Sequence, residues 1–145
     1  MCFHKAIVRR GNRCVIKFVP SGCACEGDLL VEPEKVSICG TDIQILRRVR
    51  DDPALIIGHE GLSRIFVKGQ GVHGFERGDR VSINPTDPAN PDFLLGHNLN
   101  GLLQEQVRIP AAAVGYPCLI VDSSSERYVD RTTRRCVVCT GVSRT

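Results

Sequence analysis

The chain has 145 residues, of which 42% are hydrophobic and 24% charged, and its formal net charge is +3. This length suits one ordinary domain, and the composition is that of a soluble globular protein. The small net charge argues against a nucleic-acid partner, and no apolar run of about 18 residues predicts a membrane span. Charges interrupt the N-terminal segment "MCFHKAIVRRGNRCVIKF" before a secretory signal could form, so we expect a cytoplasmic protein with reduced cysteines.

From residue 5 to about residue 110 the sequence predicts short strands separated by turns. Alternating or continuous apolar runs rich in β-branched residues are typical of half-buried strands. Six segments have this character: "KAIVRR", "RCVIKFV", "DLLVEPEKVSI", "GHEGLSRIFVKG", "GDRVSINP" and "LLQEQVRIP". Aromatic residues are few, so aliphatic side chains must fill the core. The pattern predicts a mainly β fold, a small barrel, without the helix–strand alternation of a doubly wound parallel sheet.

One helix is expected among these strands. Thr41 can cap a helix over "DIQILRRVR", with Asp42 in its first turn. Ile43, Leu46 and Val49 would then face the core at i, i+3 spacing.

Two segments do not continue the strand pattern. The segment "NPTDPANPDF" contains three prolines and is expected to hold no regular element. Residues 115–145 are rich in Arg, Ser and Thr and show no sustained period. They could hold a strand or two, or form a disordered or foreign tail. We therefore assign residues 1–114 to one domain and treat residues 115–145 as an atypical tail.

Cys39 and His59 are the candidate metal ligands. Cys39, in "ICGTDIQ", lies between a predicted strand and a predicted helix start, where backbone amides stabilise a thiolate. His59, in "GHEG", is flanked by glycines that let the backbone turn sharply. Zinc prefers a thiolate and an imidazole, and the carboxylates of Asp42 and Glu60 could orient them. A buried thiol and a hydrogen-bonded core histidine are the alternative for such a pair taken alone.

Three motifs in order, "CGTDIQ", "IIGHEG" and "GVHGFERGDRVSINP", resemble the N-terminal catalytic domain of the zinc-dependent medium-chain alcohol and polyol dehydrogenases. The resemblance runs from about Lys5 to Val114 and implies a GroES-like β-barrel with one or two short helices. The implied activity is NAD- or NADP-linked oxidation of a secondary alcohol, a polyol or a cyclitol. It implies a small-molecule substrate, neither nucleic acid nor membrane as partner, and leaves a homo-oligomer open.

The resemblance also assigns roles to individual residues. It makes Cys39 and His59 catalytic zinc ligands. Thr41 would hydrogen-bond the substrate oxygen and start a proton relay, and Asp42 would hold the imidazole of His59. Glu60 would lie beside the metal as an orienting group or an alternate ligand. For Thr41 and Asp42, purely structural roles at the helix start remain open.

The sequence departs from the family pattern at three places. Ser63 stands where the signature usually has a glycine, four residues after the histidine. Gln44 replaces the histidine that many members use as the last relay group; it can hydrogen-bond a ribose of the cofactor but cannot shuttle a proton. Residues 85–101 contain none of the four closely spaced cysteines of the family's structural zinc lobe, so we expect that zinc to be absent.

The length is a further departure, because family members are roughly twice as long and bind the dinucleotide through a Rossmann domain. No G-x-G-x-x-G motif follows a strand here, and the family's third zinc ligand lies beyond "IPAAAV". We therefore expect a truncated or frameshifted catalytic-domain fragment with an incomplete zinc site, inactive alone. His97 falls near the family's substrate side or is only an exposed turn residue.

Two alternatives belong to other classes of function. The first is a stand-alone GroES-like binding module that acts without a cofactor. The second is a zinc or redox site built on the C-x-x-C pair Cys136 and Cys139, although one such pair, like the single Cys118, is more often incidental.

Overall fold

The computed structural model describes residues 2–87, 90–111, 114, 118–121, 128–130 and 135–137. The strands in these residues are β1 (Phe3–Arg10), β2 (Arg13–Pro20), β3 (Leu29–Ser37), β4 (Glu60–Lys68), β5 (Arg80–Ile83), β6 (Thr86–Asp87), β7 (Asn90–Leu94), β8 (Val107–Ile109), β9 (Cys118–Val121), β10 (Tyr128–Asp130) and β11 (Arg135–Val137). The helix α1 spans Gly40–Leu46. The predicted mainly β architecture with a short helix is confirmed.

The first two strands form a hairpin that lies against the rest of the domain. β1 pairs antiparallel with β2, and the turn between them contains Gly11 at φ +62°, a left-handed conformation that glycine adopts without strain. Buried and solvent-facing residues alternate along β1, as expected for a strand with one face on the core, and the buried residues are His4, Ala6 and Val8. Backbone hydrogen bonds from Ile7 to Leu103 fix the hairpin to the later chain.

A seven-stranded sheet forms the centre of the domain, in the order β11-β10-β9-β5-β4-β3-β8. β3 and β4 make its longest pairing, antiparallel from Leu29↔Lys68 to Ser37↔Glu60. Among the described residues the strands do not close into a ring, so the architecture is that of an open, curled sheet with two added hairpins. The sheet places the end of β3 beside the start of β4.

The core is largely aliphatic, as the composition predicts. Its side chains come from the sheet and from the turns that cover it, and two phenylalanines complete it. The main cluster consists of Leu29, Val31, Ile65, Val72, Phe75, Val81, Ile83, Phe93, Leu95, Leu102, Val107 and Ile109.

The proline-rich segment was expected to hold no regular element, and this prediction is wrong. It contains β6 and the first residues of β7, which pair with each other at Thr86↔Leu94 and Asp87↔Asn90. Pro91 does not disturb this ladder because it lies between the paired positions of a two-stranded edge hairpin, where a missing N–H is tolerated.

Part of the expected tail carries strands. β9 extends the central sheet by pairing with β5 at Val81↔Ile120, Ser82↔Leu119 and Ile83↔Cys118. Most of residues 115–145, Cys139 among them, lie outside the described residues. The assignment of this segment as an atypical tail, and the hypothesis of a site on Cys136 and Cys139, therefore stay predictions. Where the chain is described, no helix has the length and apolar character needed to cross a membrane.

Candidate metal centre

Cys39 is the N-cap of α1 and was not predicted as such. Its backbone is extended (φ −102°, ψ 176°), its Sγ accepts a hydrogen bond from the Thr41 N–H at 3.2 Å, and its own N–H donates to Asp42 Oδ2 at 2.9 Å. This is a reciprocal capping box in which a thiol replaces the usual hydroxyl. The prediction of Thr41 as N-cap is wrong, because the helix begins at Gly40, two residues before the predicted start at Asp42.

The buried face of α1 also differs from the predicted one. Asp42 and Ile45 are buried at 0% exposure, whereas Ile43 is 38% and Val49 73% exposed. The prediction that Ile43 and Val49 face the core is therefore wrong. The Asp42 carboxylate is drawn inward by backbone donors, and this fixes which side of the short helix meets the sheet.

Asp42 connects the helix start to the segment that enters β4. Its Oδ2 accepts the Cys39 N–H, and its Oδ1 accepts the Gly58 N–H at 3.1 Å. Both carboxylate oxygens thus hold backbone amides from two separate parts of the chain. A buried carboxylate requires such partners, since an unpaired charge inside a protein is costly. Asp42 therefore positions the Cys39 and His59 backbones relative to each other.

His59 is presented by a glycine turn. Gly58 has φ +93°, a conformation that favours glycine, and the backbones of Gly96 and Gly101 lie against its carbonyl so closely that a Cβ on either would collide with it. The side chain of His59 is 9% exposed. Its Nε2 lies 3.2 Å from Cys39 Sγ, and its Nδ1 lies 3.5 Å from Asp42 Oδ1.

The three side chains form a compact set of donors. One ligand atom from each of Cys39, Asp42 and His59 lies within 4.8 Å of the other two. The two oxygens of Asp42 are engaged by backbone amides, so Cys39 Sγ and His59 Nε2 are the two atoms free to face a metal. Zn²⁺ bound by both at ordinary tetrahedral distances would place them about 3.6 Å apart. A widening of a few tenths of an ångström suffices, and the donor set fits zinc.

The unused nitrogen of His59 supports the same conclusion. Within the described part of the chain, His59 Nδ1 is a buried atom with no hydrogen-bond partner, and Asp42 Oδ1 is the carboxylate oxygen it faces. Metal-bound histidines usually donate their second ring N–H to a carboxylate. A small movement of the ring would close the gap from 3.5 Å to a hydrogen bond.

Three other predicted site residues lie at the edges of this cluster. Thr41 is half-buried in the first turn of α1, and Gln44 is exposed on the same helix. Glu60 is the exposed first residue of β4 and is not one of the three residues whose ligand atoms converge. The roles assigned to Thr41, Gln44 and Glu60 stay predictions.

His97 lies against the centre, and Asp52 holds it there. The rings of His59 and His97 are 4.8 Å apart between centroids, and His97 Nδ1 lies 3.2 Å from Asp52 Oδ2. Burial raises the pKa of Asp52, but hydrogen bonds from Arg50 and His97 outweigh it, so this pKa lies below its ordinary value. The role of His97 stays open from the sequence, and no spacing or motif in the sequence points to Asp52.

Comparison with known proteins defines the class of domain. The alcohol dehydrogenase GroES-like domain family matches this sequence over residues 25–117. The chain belongs to this family. The predicted GroES-like fold and the resemblance carried by the three motifs are confirmed.

Individual relatives agree with this assignment. An uncharacterised zinc-type alcohol dehydrogenase-like protein of Haemophilus influenzae is 31% identical over 127 residues, covering 74% of this chain and 36% of the relative. An L-threonine 3-dehydrogenase of Xanthomonas oryzae is 36% identical over 131 residues, covering 74% of this chain and 38% of the relative. The chain spans less than two fifths of the length of either.

Solved structures show the same fold. Acetophenone reductase from Geotrichum candidum, in complex with NAD, superposes with a TM-score of 0.72 at 20% identity, over 84% of this chain and 41% of the other. An alcohol dehydrogenase of Thermus sp. gives a TM-score of 0.67 at 21% identity, over 81% of this chain and 40% of the other. At these identities the likeness concerns the fold.

Proposed function

We propose that this chain is the metal-binding catalytic portion of a zinc-dependent dehydrogenase that oxidises an alcohol, a polyol or a cyclitol with NAD or NADP. The observation that carries the proposal is the pairing of the Cys39 thiol with the His59 imidazole above the buried Asp42 carboxylate. Its support from the comparisons is family membership, a relative named as zinc-type and a structural neighbour solved with NAD. We place the protein in the cytoplasm.

The zinc-holding roles follow from the atoms that converge. Cys39 Sγ and His59 Nε2 would hold the metal, and Asp42 would accept a hydrogen bond from His59 Nδ1–H, which fixes the tautomer and leaves Nε2 as the ligand atom. Zinc, when bound, polarises the alcohol oxygen as a Lewis acid. Glu60 would act from the rim as an orienting or alternate ligand. Two protein ligands are fewer than the usual three, so zinc affinity should be lower than in a complete site.

The substrate proton would leave through Thr41. Its hydroxyl, two residues after the Cys39 cap, can accept the proton of the substrate O–H while donating its own. Gln44, one turn further along α1, has no titratable proton, so its proposed role is a hydrogen bond to the ribose of the cofactor. A relay beyond Thr41 would therefore pass to water.

We expect the isolated chain to show no measurable turnover. Hydride transfer requires the nicotinamide within about 3.5 Å of the substrate carbon, and binding energy supplies that position. The described residues form no β-α-β unit that would hold a dinucleotide. An assay with an alcohol and polyol panel tests this expectation, and turnover that disappears in Cys39→Ser would contradict it.

Zinc analysis after dialysis against a mild chelator tests the metal centre. Wild-type protein should keep at most one zinc per chain, and the double variant Cys39→Ser, His59→Ala should keep none. The matched control is Cys23→Ser, His73→Ala, which removes an exposed thiol and an exposed imidazole and should keep the metal. Zinc retained by the Cys39, His59 variant would refute the assignment.

The C-x-x-C hypothesis is tested in the same assay. Replacing Cys136 and Cys139 by serine should leave the zinc content unchanged. A loss of zinc in this variant would move the metal site to the tail.

A second candidate function is the stand-alone binding module, and one surface favours it. The outer face of the β1–β2 hairpin carries Phe3, Ile16 and Phe18 at 56%, 73% and 68% exposure, next to Ile7 at 37%. Contiguous apolar residues on one exposed face are typical of a contact surface. If this face joins two copies, sedimentation should show a dimer that Ile16→Glu converts to a monomer. A defined dimer without bound zinc would favour the module over the enzyme.

A further inference from the structure

A cavity of about 500 Å³ lies between the end of β1 and the segment that follows α1. Its lining is formed by three arginines, one aspartate, one glycine and one leucine: Arg9, Arg48, Arg50, Asp51, Gly11 and Leu55. Three guanidinium groups face the Asp51 carboxylate in the lining and the Asp52 carboxylate that pairs with Arg50, which leaves a net charge of +1 (3 − 2). The volume is that of a small-molecule site, and the charge would attract an anion.

Arg48 takes a backbone conformation that normally belongs to glycine. It lies at the position after the helix C-cap with φ +59°. The Arg48 N–H donates to the Ile45 carbonyl and the Val49 N–H to the Gln44 carbonyl, which is the hydrogen-bond pattern of a Schellman motif. Glycine is the usual residue there, because an L side chain is strained at positive φ. An arginine at this point costs folding free energy, so a role outside folding would explain it.

The Arg48 guanidinium is exposed and reaches the turn of the β1–β2 hairpin at Gly11. A Cβ built on Gly11 would lie 2.6 Å from Arg48 Nη2, so a side chain at position 11 would displace the guanidinium. No carboxylate in the described part of the chain forms an ion pair with Arg48. The Arg48 guanidinium thus lines the cavity with no carboxylate paired to it.

Asp52 holds the other two arginines. Arg50 forms a two-pronged pair with the Asp52 carboxylate, Nε to Oδ2 at 3.0 Å and Nη2 to Oδ1 at 3.3 Å. Arg9 donates to the Asp52 backbone carbonyl. The same carboxylate contacts His97, whose ring packs at a tilt of 37° against His59. The cavity is therefore pre-arranged, and two side chains, Asp52 and His97, join it to the candidate metal centre.

We propose that this cavity binds the oxyanion group, a phosphate or a carboxylate, of a small molecule. Arginine suits both groups because its planar fork donates two parallel hydrogen bonds to two oxygens. Arg48 supplies the uncompensated charge, while Arg9 and Arg50 are held in place to complete the contact. This binding goes beyond the proposed dehydrogenase activity, which uses none of these arginines, and it requires no zinc.

Thermal unfolding in the presence of inorganic phosphate or malonate, with chloride at equal ionic strength as reference, tests the proposal. The unfolding midpoint should rise saturably with phosphate, with malonate or with both, and stay flat with chloride. A response to phosphate alone identifies a phosphate site, and a response to malonate alone identifies a carboxylate site. No saturable response to either anion would overturn the proposal.

Variants locate the site. Arg48→Gly relieves the backbone strain, so it should fold with a midpoint at or above that of the wild type and weaken anion affinity about tenfold or more. Arg48→Gln should weaken affinity similarly. Arg47→Gln removes a neighbouring exposed charge that does not line the cavity, and it should retain wild-type affinity. Equal loss in Arg47→Gln and Arg48→Gln would show only nonspecific charge attraction and overturn the proposal. Unchanged zinc content in Arg48→Gly keeps this test separate from the metal centre.

Discussion

Cys39 Sγ and His59 Nε2 lie 3.2 Å apart, although twenty positions separate the two residues and they belong to different elements. The pairing of β3 with β4 brings these elements together. Asp42 then fixes the position of the Cys39 backbone relative to the His59 backbone, because its carboxylate accepts hydrogen bonds from the Cys39 and Gly58 N–H groups. The geometry of the candidate metal centre thus depends on a buried anion that is itself part of the helix cap.

Replacing Asp42 by asparagine should destabilise the domain strongly. An amide oxygen can serve one of the two backbone donors, and the amide NH₂ would face the other, leaving a buried N–H unsatisfied. We expect the free energy of unfolding to fall by about 2 kcal/mol, measured by urea denaturation. Asp92→Asn changes an exposed carboxylate and should stay within about 0.5 kcal/mol of wild type. Equal stability of the two variants would contradict the bridging role of Asp42.

Replacing Gly101 by alanine should disturb His59 from a distance. A Cβ at position 101 would collide with the Gly58 carbonyl, so the turn that presents His59 must shift. We expect a loss of about 1–3 kcal/mol in the free energy of unfolding, together with weaker zinc retention. Gly40→Ala is the matched control, since an added Cβ there meets nothing within 4 Å, and it should keep the zinc and not lower the free energy of unfolding. Wild-type zinc retention in Gly101→Ala would disprove the coupling.

Ser63→Ala should stabilise the protein. Ser63 is 0% exposed in the middle of β4, and its hydroxyl oxygen has no hydrogen-bond partner among the described residues. Removing a buried unsatisfied hydroxyl should raise the free energy of unfolding by about 1 kcal/mol in chemical denaturation. Ser37→Ala, at an exposed position of β3, should have no effect. A destabilised Ser63→Ala would reveal a partner for this hydroxyl.

Acid should weaken the ion pair between Asp28, the residue before β3, and Arg108 of β8. Burial raises the pKa of Asp28, but hydrogen bonds from Arg108, Cys25 and Ala111 outweigh it, so the pKa lies below its ordinary value of 3.8. A depressed carboxyl pKa in the folded state contributes stability that is complete above the unfolded value and is lost as the pH falls through the lower folded value.

Denaturation curves at several pH values check this contribution. Below about pH 4 the free energy of unfolding should fall more steeply for wild type than for Asp28→Asn, which has no proton to gain. Above that pH the variant should be less stable by a constant amount. Parallel curves for wild type and Asp28→Asn throughout the acid range would rule out a stabilising contribution of the Asp28 carboxylate.

The sequence was sufficient to predict β1 to β5, β8 and the two metal-ligand candidates, because all of these rest on local signals. Period-2 burial patterns appear directly in segments such as β1, and Cys39 and His59 stand in short motifs with glycine turns. The chemistry of the two donor side chains and the order of the motifs were enough to predict that Cys39 and His59 form one site.

Features set by long-range contacts could not be predicted. The buried face of α1 depends on the hydrogen bond that Asp42 accepts from the Gly58 N–H. The spacing of apolar residues along the helix does not predict this bond, because Gly58 lies outside the helix. A cysteine as N-cap contradicts the usual preference for oxygen side chains. The contact of His97 with His59 joins residues from separate loops, and the Arg48 cavity appears only when β1 and the segment after α1 are adjacent.

The central claim is that Cys39 and His59 bind one metal ion together, and Co²⁺ titration of the metal-free protein tests it most directly. Cobalt bound by a thiolate absorbs through a ligand-to-metal charge-transfer band, so the spectrum reports the Cys–metal bond itself. The band should saturate near one equivalent of Co²⁺, disappear in Cys39→Ser, weaken strongly in His59→Ala and persist in Cys23→Ser. A full band in Cys39→Ser would contradict the account.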